Sequence, residues 1–526
     1  MYCENDEDKL HDECGVVGIF GAENAASKAY FSLVSLQHRG QESAGIAVSD
    51  GKKIALKKEI GLVGDIFKES DFEKLQGSLA IGHVRYATAG GRTIENAQPF
   101  LNTFKMGSIA LAHNGQLVNH AELRAMLEDG GSTFSSSSDS EVILKLIVRK
   151  YIENGGHLGR PGDEENFREL NQKRFIDAVV QTARLIKGSF ALCIMTESML
   201  LGVRDANGIR PLCLGRIDCP VKPDNDSVSQ PDNDSVSQLD NEAGSQPNGD
   251  SVSQPDGDTY GVAAVIPRLD RGISCILASE SCAIDAVNGT FIRDVEAGEV
   301  VVITKEGLRS INYAQEKKET CIFEYVYFAR PDSLIDGISV QEARYRMGEV
   351  LAEEAPVEAD IVIGVPDSGL GAAMGYARAS GLPYGMGIIK NKYIGRTFIA
   401  PTQAEREAMV FVKLNAIRSD LEGKRVIVID DSIVRGTTSR RLVDILRRAG
   451  AKEVHFRVSS PPVKFPCHLG IDTPSKNELI SSTHELEEIR KEIGADSLAF
   501  ISLPGMIKAF GADSFCKGCF NGSYPV

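Results

Sequence analysis

Residues 426–439, VIVIDDSIVRGTTS, are the most informative stretch of the 526-residue sequence. An apolar run typical of a buried strand ends in two adjacent carboxylates, Asp430 and Asp431. A loop with Gly436 and two threonines then leads into a helical pattern. Backbone N–H groups at a helix N-terminus bind phosphate, and carboxylates bind ribose hydroxyls or Mg²⁺. The stretch predicts a sugar-phosphate site, although two aspartates alone would also be explained by capping of the turn.

The sequence around this stretch alternates strands and helices from about residue 340 onward. DIVIGV precedes the glycine-rich DSGLGAAMGYARASG, just as RVIVID precedes DSIVRGTTSRRLVDILRRAG. Apolar strands that each lead into a helix are typical of a parallel sheet with crossover helices. Before about residue 300 the pattern is strand-rich, with helices predicted at Ala25–Gln37 and from 138–141 onward. We predict an α+β layered domain, an α/β domain and a boundary near 300–325.

The formal charge of −15 is concentrated in two segments. Residues 1–13 contain six acidic residues and one lysine, and residues 223–258 contain nine acidic residues without Lys or Arg. The rest of the chain is near neutral, so charge gives no argument for a nucleic-acid or membrane partner. No run reaches the roughly 18 apolar residues of a membrane span, and the acidic N-terminus is unlike a signal peptide. We therefore predict a cytoplasmic protein.

An eight-residue repeat of the type PDNDSVSQ runs from Pro223 to Gln254. It contains almost nothing that a core would bury, which predicts a disordered surface loop. Strand-like sequence flanks it on both sides, so we expect an insertion at 221–258 within one domain.

Cys14 begins the first apolar strand, ECGVVGIFG, after thirteen largely polar residues. If those residues were removed, the thiol and a free α-amino group would share one residue, and the amine would serve as a base for the thiol. Burial in the core is the alternative role for a cysteine that begins a strand.

Two further segments have open interpretations when taken alone. The loop KNKYIGRTFIAPTQAERE contains Lys390, Lys392 and Arg396, which would form either a solvated basic loop or a lid over a leaving pyrophosphate. Cys516 and Cys519 form a CxxC whose spacing is compatible with a metal, a redox dithiol or chance.

Five motifs, ECGVVGIFG, LQHRGQESAGIA, GHVRYATAG, LAHNGQLVN and SDSE, occur in this order over about 130 residues. Together they resemble the N-terminal-nucleophile (Ntn) glutamine amidotransferase domain, which has a four-layer α+β fold. The resemblance implies that Cys14 is the nucleophile and that the Asn114 side chain and the Gly115 N–H form the oxyanion hole. It also implies that Arg85 and Asp139 hold the carboxylate and amino group of glutamine.

VIVIDDSIVRGTTS and VIGVPDSGLG resemble the signature loops of type I phosphoribosyltransferases. The resemblance implies that Asp430 and Asp431 bind the ribose of phosphoribosyl pyrophosphate (PRPP) and, with Ser368, a magnesium ion. It implies a 5'-phosphate site at Arg435, Gly436, Thr437 and Thr438, and it favours the lid for Lys390, Lys392 and Arg396.

The two domains, joined through FEYVYFARPDS, resemble the amidophosphoribosyltransferase family over nearly the whole chain. The resemblance implies a pentosyltransferase that converts PRPP, glutamine and water into 5-phosphoribosylamine, glutamate and diphosphate, the first step of purine synthesis. It further implies internal transfer of ammonia, purine nucleotide inhibitors and a homotetramer. The expected organisation is a propeptide at 1–13, the glutaminase at 14–300, the phosphoribosyltransferase at 320–480 and a C-terminal segment at 481–526.

Two other functions remain for comparison. A glutaminase that aminates fructose 6-phosphate would carry sugar-phosphate isomerase domains in place of VIVIDDSIVRGTTS. A PRPP-sensing regulator with a vestigial glutaminase would leave the intact glutaminase motifs unexplained, and no DNA-binding segment supports it.

One branch of the family carries both an acidic propeptide and an iron-sulfur cluster. Cys282, Cys467, Cys516 and Cys519 match the positions of the cluster ligands in that branch. The resemblance therefore implies a [4Fe-4S] cluster and cleavage after Glu13. Zinc remains an alternative, because the sequence does not distinguish between tetrahedral sulfur sites.

Overall fold

The computed structural model describes residues 14–86, 93–104, 107–156, 164–218, 262–266, 273–391, 414–473 and 475–526. The predicted propeptide, the repeat insertion, Lys392 and Arg396 lie outside the described residues.

Two seven-stranded antiparallel sheets form the N-terminal domain. Their strands, numbered in chain order, are β1 (Gly15–Phe20), β2 (Ser43–Ser49), β3 (Ile54–Ile60), β4 (Leu79–Arg85), β5 (Phe100–Phe104), β6 (Gly107–Leu117), β7 (Gly188–Met195), β8 (Leu200–Arg204), β9 (Cys213–Asp218), β10 (Val262–Ile266), β11 (Ile273–Ala278), β12 (Thr290–Asp294), β13 (Glu299–Thr304) and β14 (Gly307–Asn312). The sheet orders are β12-β9-β11-β1-β4-β2-β3 and β10-β14-β13-β8-β7-β6-β5.

The two sheets pack face to face, and helices cover their outer faces. In β1, Val16 and Phe20 point into the core between the sheets, whereas Val17 and Ile19 join the core beneath the helix Ala25–Ser35. This alternation follows from the two-residue period of a strand that is covered on both faces. The helices Asp139–Glu153 and Glu164–Leu185 cover the second sheet. The result is the predicted four-layer glutaminase fold.

Both predicted N-terminal helices are present. The first spans Ala25–Ser35, slightly shorter than predicted, because the backbone leaves the helical conformation at Leu36. The second spans Asp139–Glu153 and begins after Ser138, whose hydroxyl accepts a hydrogen bond from the Ser140 N–H at 3.2 Å. The other N-terminal helices are Val63–Ile66, Glu69–Phe72, His120–Asp129 and Cys282–Asp285, with a 3₁₀ turn at Ile94–Asn96.

A five-stranded parallel sheet forms the centre of the C-terminal half, in the order β19-β18-β22-β23-β24. The strands of this half are β15 (Thr320–Cys321), β16 (Leu334–Ile335), β17 (Ile338–Ser339), β18 (Ile361–Gly364), β19 (Tyr384–Gly385), β20 (Ile388–Lys390), β21 (Leu414–Ala416), β22 (Arg425–Asp430), β23 (Glu453–Val458), β24 (Ser497–Phe500) and β25 (Phe515–Cys516). Ile427 and Ile429 of β22 belong to one core, and Val426 and Val428 belong to the core on the opposite face. The predicted α/β fold is confirmed.

The remaining helices of this half are Val340–Glu354, Gly369–Ser380, Arg418–Leu421, Thr437–Arg448, Ile480–Thr483, Leu486–Ile493, Leu503–Phe510 and Gly518–Asn521, with a π-helical turn at Glu324–Phe328 and a 3₁₀ turn at Lys476–Glu478. Within the described ranges, no helix has the length and apolar character that a membrane crossing requires.

Strand pairing shows where the sheets of each domain end. The hairpin of β13 and β14 extends the N-terminal sheets to Asn312, beyond residue 300. β24 pairs with β23 at the edge of the parallel sheet, so that the sheet continues beyond residue 480. The strands on either side of the repeat, β9 and β10, both belong to the N-terminal sheets.

The helices Val340–Glu354 and Gly369–Ser380 touch backbone to backbone. A Cβ atom added at Gly348 would lie 1.9 Å from the Ala372 carbonyl oxygen, and one at Gly375 would lie 1.9 Å from the Tyr345 carbonyl oxygen. Only glycine allows this contact, which packs the helix carrying Arg344 against the helix that follows Ser368.

We expect Gly348→Ala to lower the free energy of unfolding by about 1–3 kcal/mol, because the new methyl group forces the two helices apart. The shift in the midpoint of urea unfolding, followed by circular dichroism, measures this effect. Gly64→Ala is the matched control, since no atom lies within 4 Å of its added Cβ. Equal midpoints for the two variants would contradict the close contact.

Candidate active site

Cys14 lies just before β1, beside the end of β4. Gly15 pairs with Val84, which brings Arg85 and Tyr86 next to the cysteine. The half-buried thiol donates a hydrogen bond to the Tyr86 carbonyl oxygen at 3.6 Å. Burial raises the pKa of the Cys14 thiol, and the Tyr86 contact and Arg85 oppose this rise only in part. The thiol therefore needs a base before it becomes a good nucleophile.

Asn114 and Gly115 lie in β6. The Asn114 side chain is buried, and among the described residues its amide nitrogen has no hydrogen bond acceptor. A buried donor without an acceptor costs free energy, and such groups are found at functional sites. Gly115 has φ 142°, and a Cβ there would lie 2.1 Å from the Ser189 carbonyl oxygen, so glycine is required. An unused buried donor is what an oxyanion hole provides before substrate binds.

Arg85 and Asp139 carry opposite charges near the Cys14 thiol, and both affect the pKa of that thiol. Arg85 is buried, with Nη1 4.0 Å from Glu42 Oε2. Asp139 accepts a hydrogen bond from the Leu117 N–H at 2.9 Å. Burial opposes ionisation of Asp139, but His113 and this hydrogen bond outweigh it and lower the pKa. A cation and an anion in this arrangement suit the carboxylate and ammonium groups of an amino acid.

The second site lies at the carboxyl edge of the parallel sheet, where β22 ends. Ser368 Oγ donates to Asp431 Oδ1 at 2.5 Å, and the Asp431 N–H donates to Asp430 Oδ1 at 3.0 Å. Both carboxylates and the serine are buried. The three residues predicted to bind magnesium are thus brought together, and their oxygen atoms are the donors that Mg²⁺ prefers.

The predicted phosphate loop follows these carboxylates. Gly436 has φ 85° and immediately precedes the helix Thr437–Arg448. Thr437 is exposed and Thr438 is half-buried at the start of that helix. Arg435 forms an ion pair with Glu478 at 3.2 Å. The helix N-terminus and a partly exposed arginine are suited to a phosphate group.

Lys390, the one predicted lid residue that the structure describes, ends β20. Its Nζ lies 2.7 Å from Asp367 Oδ2, in the loop that carries Ser368. The start of the predicted lid therefore contacts the second substrate loop.

Four cysteines meet on the C-terminal side of the junction: Cys321, Cys467, Cys516 and Cys519. β15 and β25 pair in parallel with Cys321 opposite Cys516, and the Leu469 N–H donates to Cys467 Sγ at 3.3 Å. Burial and the sulfurs of Cys467 and Cys516 raise the pKa of Cys519 well above its ordinary value. Within the described part of the chain, no three or more His, Cys, Asp or Glu side chains are placed to hold a single metal ion.

The structure does not bring Cys282 together with the other three cysteines that the sequence grouped with it. Cys282 lies in the core beneath the helix Ala25–Ser35, separate from the core that contains Cys321, Cys516 and Cys519. Its Sγ is 3.8 Å from Glu280 Oε2, and burial together with this carboxylate raises its pKa to about 12. Cys321 takes its place beside the other three cysteines. The sequence around each cysteine gave no signal for this difference, because the partners of Cys321 come from distant segments of the chain.

Comparisons with known proteins agree with this geometry. The profile of the glutamine amidotransferase domain matches residues 83–220, and that of the phosphoribosyl transferase domain matches residues 338–460. The chain thus combines a glutamine amidotransferase with a phosphoribosyltransferase.

Relatives match this chain over nearly its full length, across both domains. Amidophosphoribosyltransferase of Bacillus subtilis is 45% identical over 98% of this chain and 95% of its own length. That of Archaeoglobus fulgidus is 45% identical over 98% of both chains. This chain belongs to the amidophosphoribosyltransferase family, which catalyses the first step of purine biosynthesis, and a PRPP-sensing regulator is not favoured.

Two solved structures share the fold of the whole chain. One, described as the allosteric regulatory enzyme of purine biosynthesis, is 44% identical with a TM-score of 0.79 and covers 97% of this chain and 96% of its own. The other is glutamine PRPP amidotransferase from B. subtilis complexed with ADP and GMP. It is 43% identical with a TM-score of 0.78 and covers 97% of both chains.

The raised pKa of Cys14 generates a pH prediction for the uncleaved chain. Alkylation of Cys14 by iodoacetamide should accelerate about tenfold per pH unit from pH 7 to 9, because only the thiolate reacts. Timed mass spectrometry of the Cys14 peptide measures the rate. Arg85→Gln should slow the reaction at each pH, since Arg85 lowers the thiol pKa. A rate that is constant above pH 8 would contradict the raised pKa.

Proposed function

We propose that this chain converts PRPP, L-glutamine and water into 5-phospho-β-D-ribosylamine, L-glutamate and diphosphate. The observation that carries the proposal is the buried, unused amide donor of Asn114 in β6, a strand that packs against β1 and β4, between whose ends Cys14 lies. A structural asparagine would satisfy its amide within the fold, whereas a donor reserved for a transient oxyanion has no acceptor until substrate is bound.

In the glutaminase site, cleavage after Glu13 gives Cys14 a free α-amine that takes the thiol proton. The sulfur attacks the glutamine amide, and Asn114 and Gly115 stabilise the oxyanion. Ammonia leaves, and water hydrolyses the thioester to glutamate. Arg85 and Asp139 hold the α-carboxylate and α-amino groups so that the amide faces the sulfur.

In the second site, ammonia attacks C1 of PRPP and diphosphate leaves. Asp430 and Asp431 bind the ribose hydroxyls, and the loop from Arg435 to Thr438 holds the 5'-phosphate. Asp430, Asp431 and Ser368 would hold Mg²⁺, which when bound would neutralise charge on the leaving diphosphate. Lys390, with Lys392 and Arg396, shields the leaving group from water. Internal transfer of ammonia keeps it from dilution in solvent.

Cys321, Cys467, Cys516 and Cys519 are proposed to hold a [4Fe-4S] cluster. A single zinc ion needs its sulfur ligands about 2.3 Å from one point, and the described residues offer no such group. A cubane cluster instead bonds each cysteine to a different iron, so its sulfurs lie farther apart. The Leu469 N–H that donates to Cys467 Sγ is the type of contact that stabilises cluster sulfur.

Regulation and assembly complete the proposal. Inhibition by purine nucleotides is supported by the relative whose structure contains ADP and GMP. A cytoplasmic location and a homotetramer stay predictions of the sequence and of the family resemblance.

Removing each site separately tests the coupled reaction. Cys14→Ala should abolish phosphoribosylamine formation from glutamine but leave formation from added ammonia, because ammonia bypasses the glutaminase. Asp431→Asn should abolish both reactions. Diphosphate release measures each rate, and an intact mass that begins at Cys14 confirms cleavage. Glutamine-dependent turnover by Cys14→Ala would refute the assignment.

The cluster assignment is tested by two cysteine variants compared side by side. Cys321→Ser should lose bound iron and the visible absorbance of an anaerobic preparation, because the cluster loses one of four ligands. Cys282→Ser is the matched control and should keep both. The reverse result would restore Cys282 as a ligand, and iron loss in neither variant would refute the cluster at these residues.

A further inference from the structure

Arg39 is a buried arginine that contacts the nucleophilic residue directly. Its Nε donates to the Cys14 carbonyl oxygen at 3.1 Å. Nη1 donates to Glu280 Oε1 at 2.6 Å and to Glu324 Oε2 at 2.9 Å, and Nη2 donates to Glu324 Oε1 at 2.7 Å. The side chains of all three charged residues are completely shielded from solvent. The guanidinium is therefore held between two carboxylates while its third edge fixes the backbone of Cys14.

The two carboxylates differ in what else they hold. Glu280 also accepts from the Arg330 N–H at 2.9 Å and from Ser333 Oγ at 2.6 Å, so it ties several segments of the junction together. Glu324 contacts Arg39 through both of its oxygens, and Arg210 Nη1 lies farther away, 3.8 Å from Glu324 Oε1. A two-point contact of this kind fixes the plane of a guanidinium, which a single contact does not.

Glu324 belongs to the phosphoribosyltransferase side of the junction. It begins the π-helical turn Glu324–Phe328, and π turns occur frequently at functional sites. Arg344, in the helix Val340–Glu354, donates to the carbonyl oxygens of Tyr325 at 2.7 Å and Ala329 at 2.8 Å. The turn is thus anchored to the second domain, while its first side chain reaches the nucleophile of the first domain through one arginine.

We infer that Glu324 is a positioning residue for the glutaminase. It orients Arg39, and Arg39 fixes the Cys14 backbone so that the thiol faces the oxyanion hole. The inference rests on the proposed role of Cys14. It explains why a carboxylate stands in the otherwise apolar segment CIFEYVYF, where burial of a charge is costly without a partner.

Glu324→Gln in the mature full-length enzyme tests this role. The amide keeps the shape of the side chain but replaces one acceptor with a donor that faces the guanidinium. We expect kcat with glutamine to fall by roughly 10- to 100-fold, as for a reacting group displaced by about an ångström, with the KM for glutamine little changed. Turnover with added ammonia should match the wild type. Glu353→Gln, which removes one partner of a surface ion pair with Lys508, is the control and should leave both reactions unchanged.

A double variant guards against misfolding, because Glu324→Gln leaves a buried charge less well paired. Arg39→Met with Glu324→Leu removes the pair together, and folds often tolerate such a replacement. Glu280 keeps its contacts with His38, Ser333 Oγ and the Arg330 N–H, and Arg210 keeps its hydrogen bond to Ser189 Oγ. The double variant should keep ammonia-dependent turnover and lose glutamine-dependent turnover. Unchanged glutamine-dependent turnover in either variant, or an equal loss of both reactions in the two, overturns the inference. Glutamine-dependent turnover that survives Cys14→Ala would instead overturn the proposed function.

Discussion

The buried ion pairs at the domain junction are the constraint on which the arrangement of the two sites depends. Arg39 lies between Glu280 and Glu324, and Arg204 forms a two-point pair with Asp336 at 2.8 and 2.9 Å. Removing one partner of such a pair leaves an uncompensated charge in the interior, which costs about 3–5 kcal/mol. The Arg39–Glu324 and Arg204–Asp336 pairs join the N-terminal domain to the segment after residue 320. Sliding one domain over the other would separate these charges. The ion pairs therefore fix the position of the two domains relative to each other.

The parts of the site that could be predicted are those that a short stretch of chain builds by itself. Asp430 and Asp431 end a strand and precede a glycine and a helix, so their position at the carboxyl edge of the sheet follows from local sequence. Asn114 and Gly115 lie within a single strand. For these residues the period of the strand and the turn chemistry determine the direction of the side chain, which is why sequence motifs located them.

The parts that could not be predicted depend on pairing between distant segments. Cys321 reaches the other cysteines only because β15 pairs with β25, almost two hundred residues later in the chain. Neither SESCAIDAV around Cys282 nor TCIFEYVYF around Cys321 contains a local metal-ligand motif, so local sequence does not tell which of the two joins the other cysteines. The end of the N-terminal sheets at Asn312, inside the predicted boundary region of 300–325, also depends on pairing, because β13 pairs with both β8 and β14. Glu324 likewise gave no local sign that its partner was an arginine near residue 40.

A fixed junction limits how a change at one site can reach the other. If the domains do not slide, any change that links PRPP binding to glutamine cleavage must occur in short elements that contact both sites. The π-helical turn at Glu324–Phe328 meets this requirement, because Arg344 holds its carbonyl groups from one side and Arg39 holds its first side chain from the other. Asp431 of the PRPP motif acts electrostatically on the same Arg344. A change of charge at the ribose site therefore acts on Arg344, which anchors the π-helical turn. The same turn carries Glu324, the carboxylate that orients Arg39 beside Cys14.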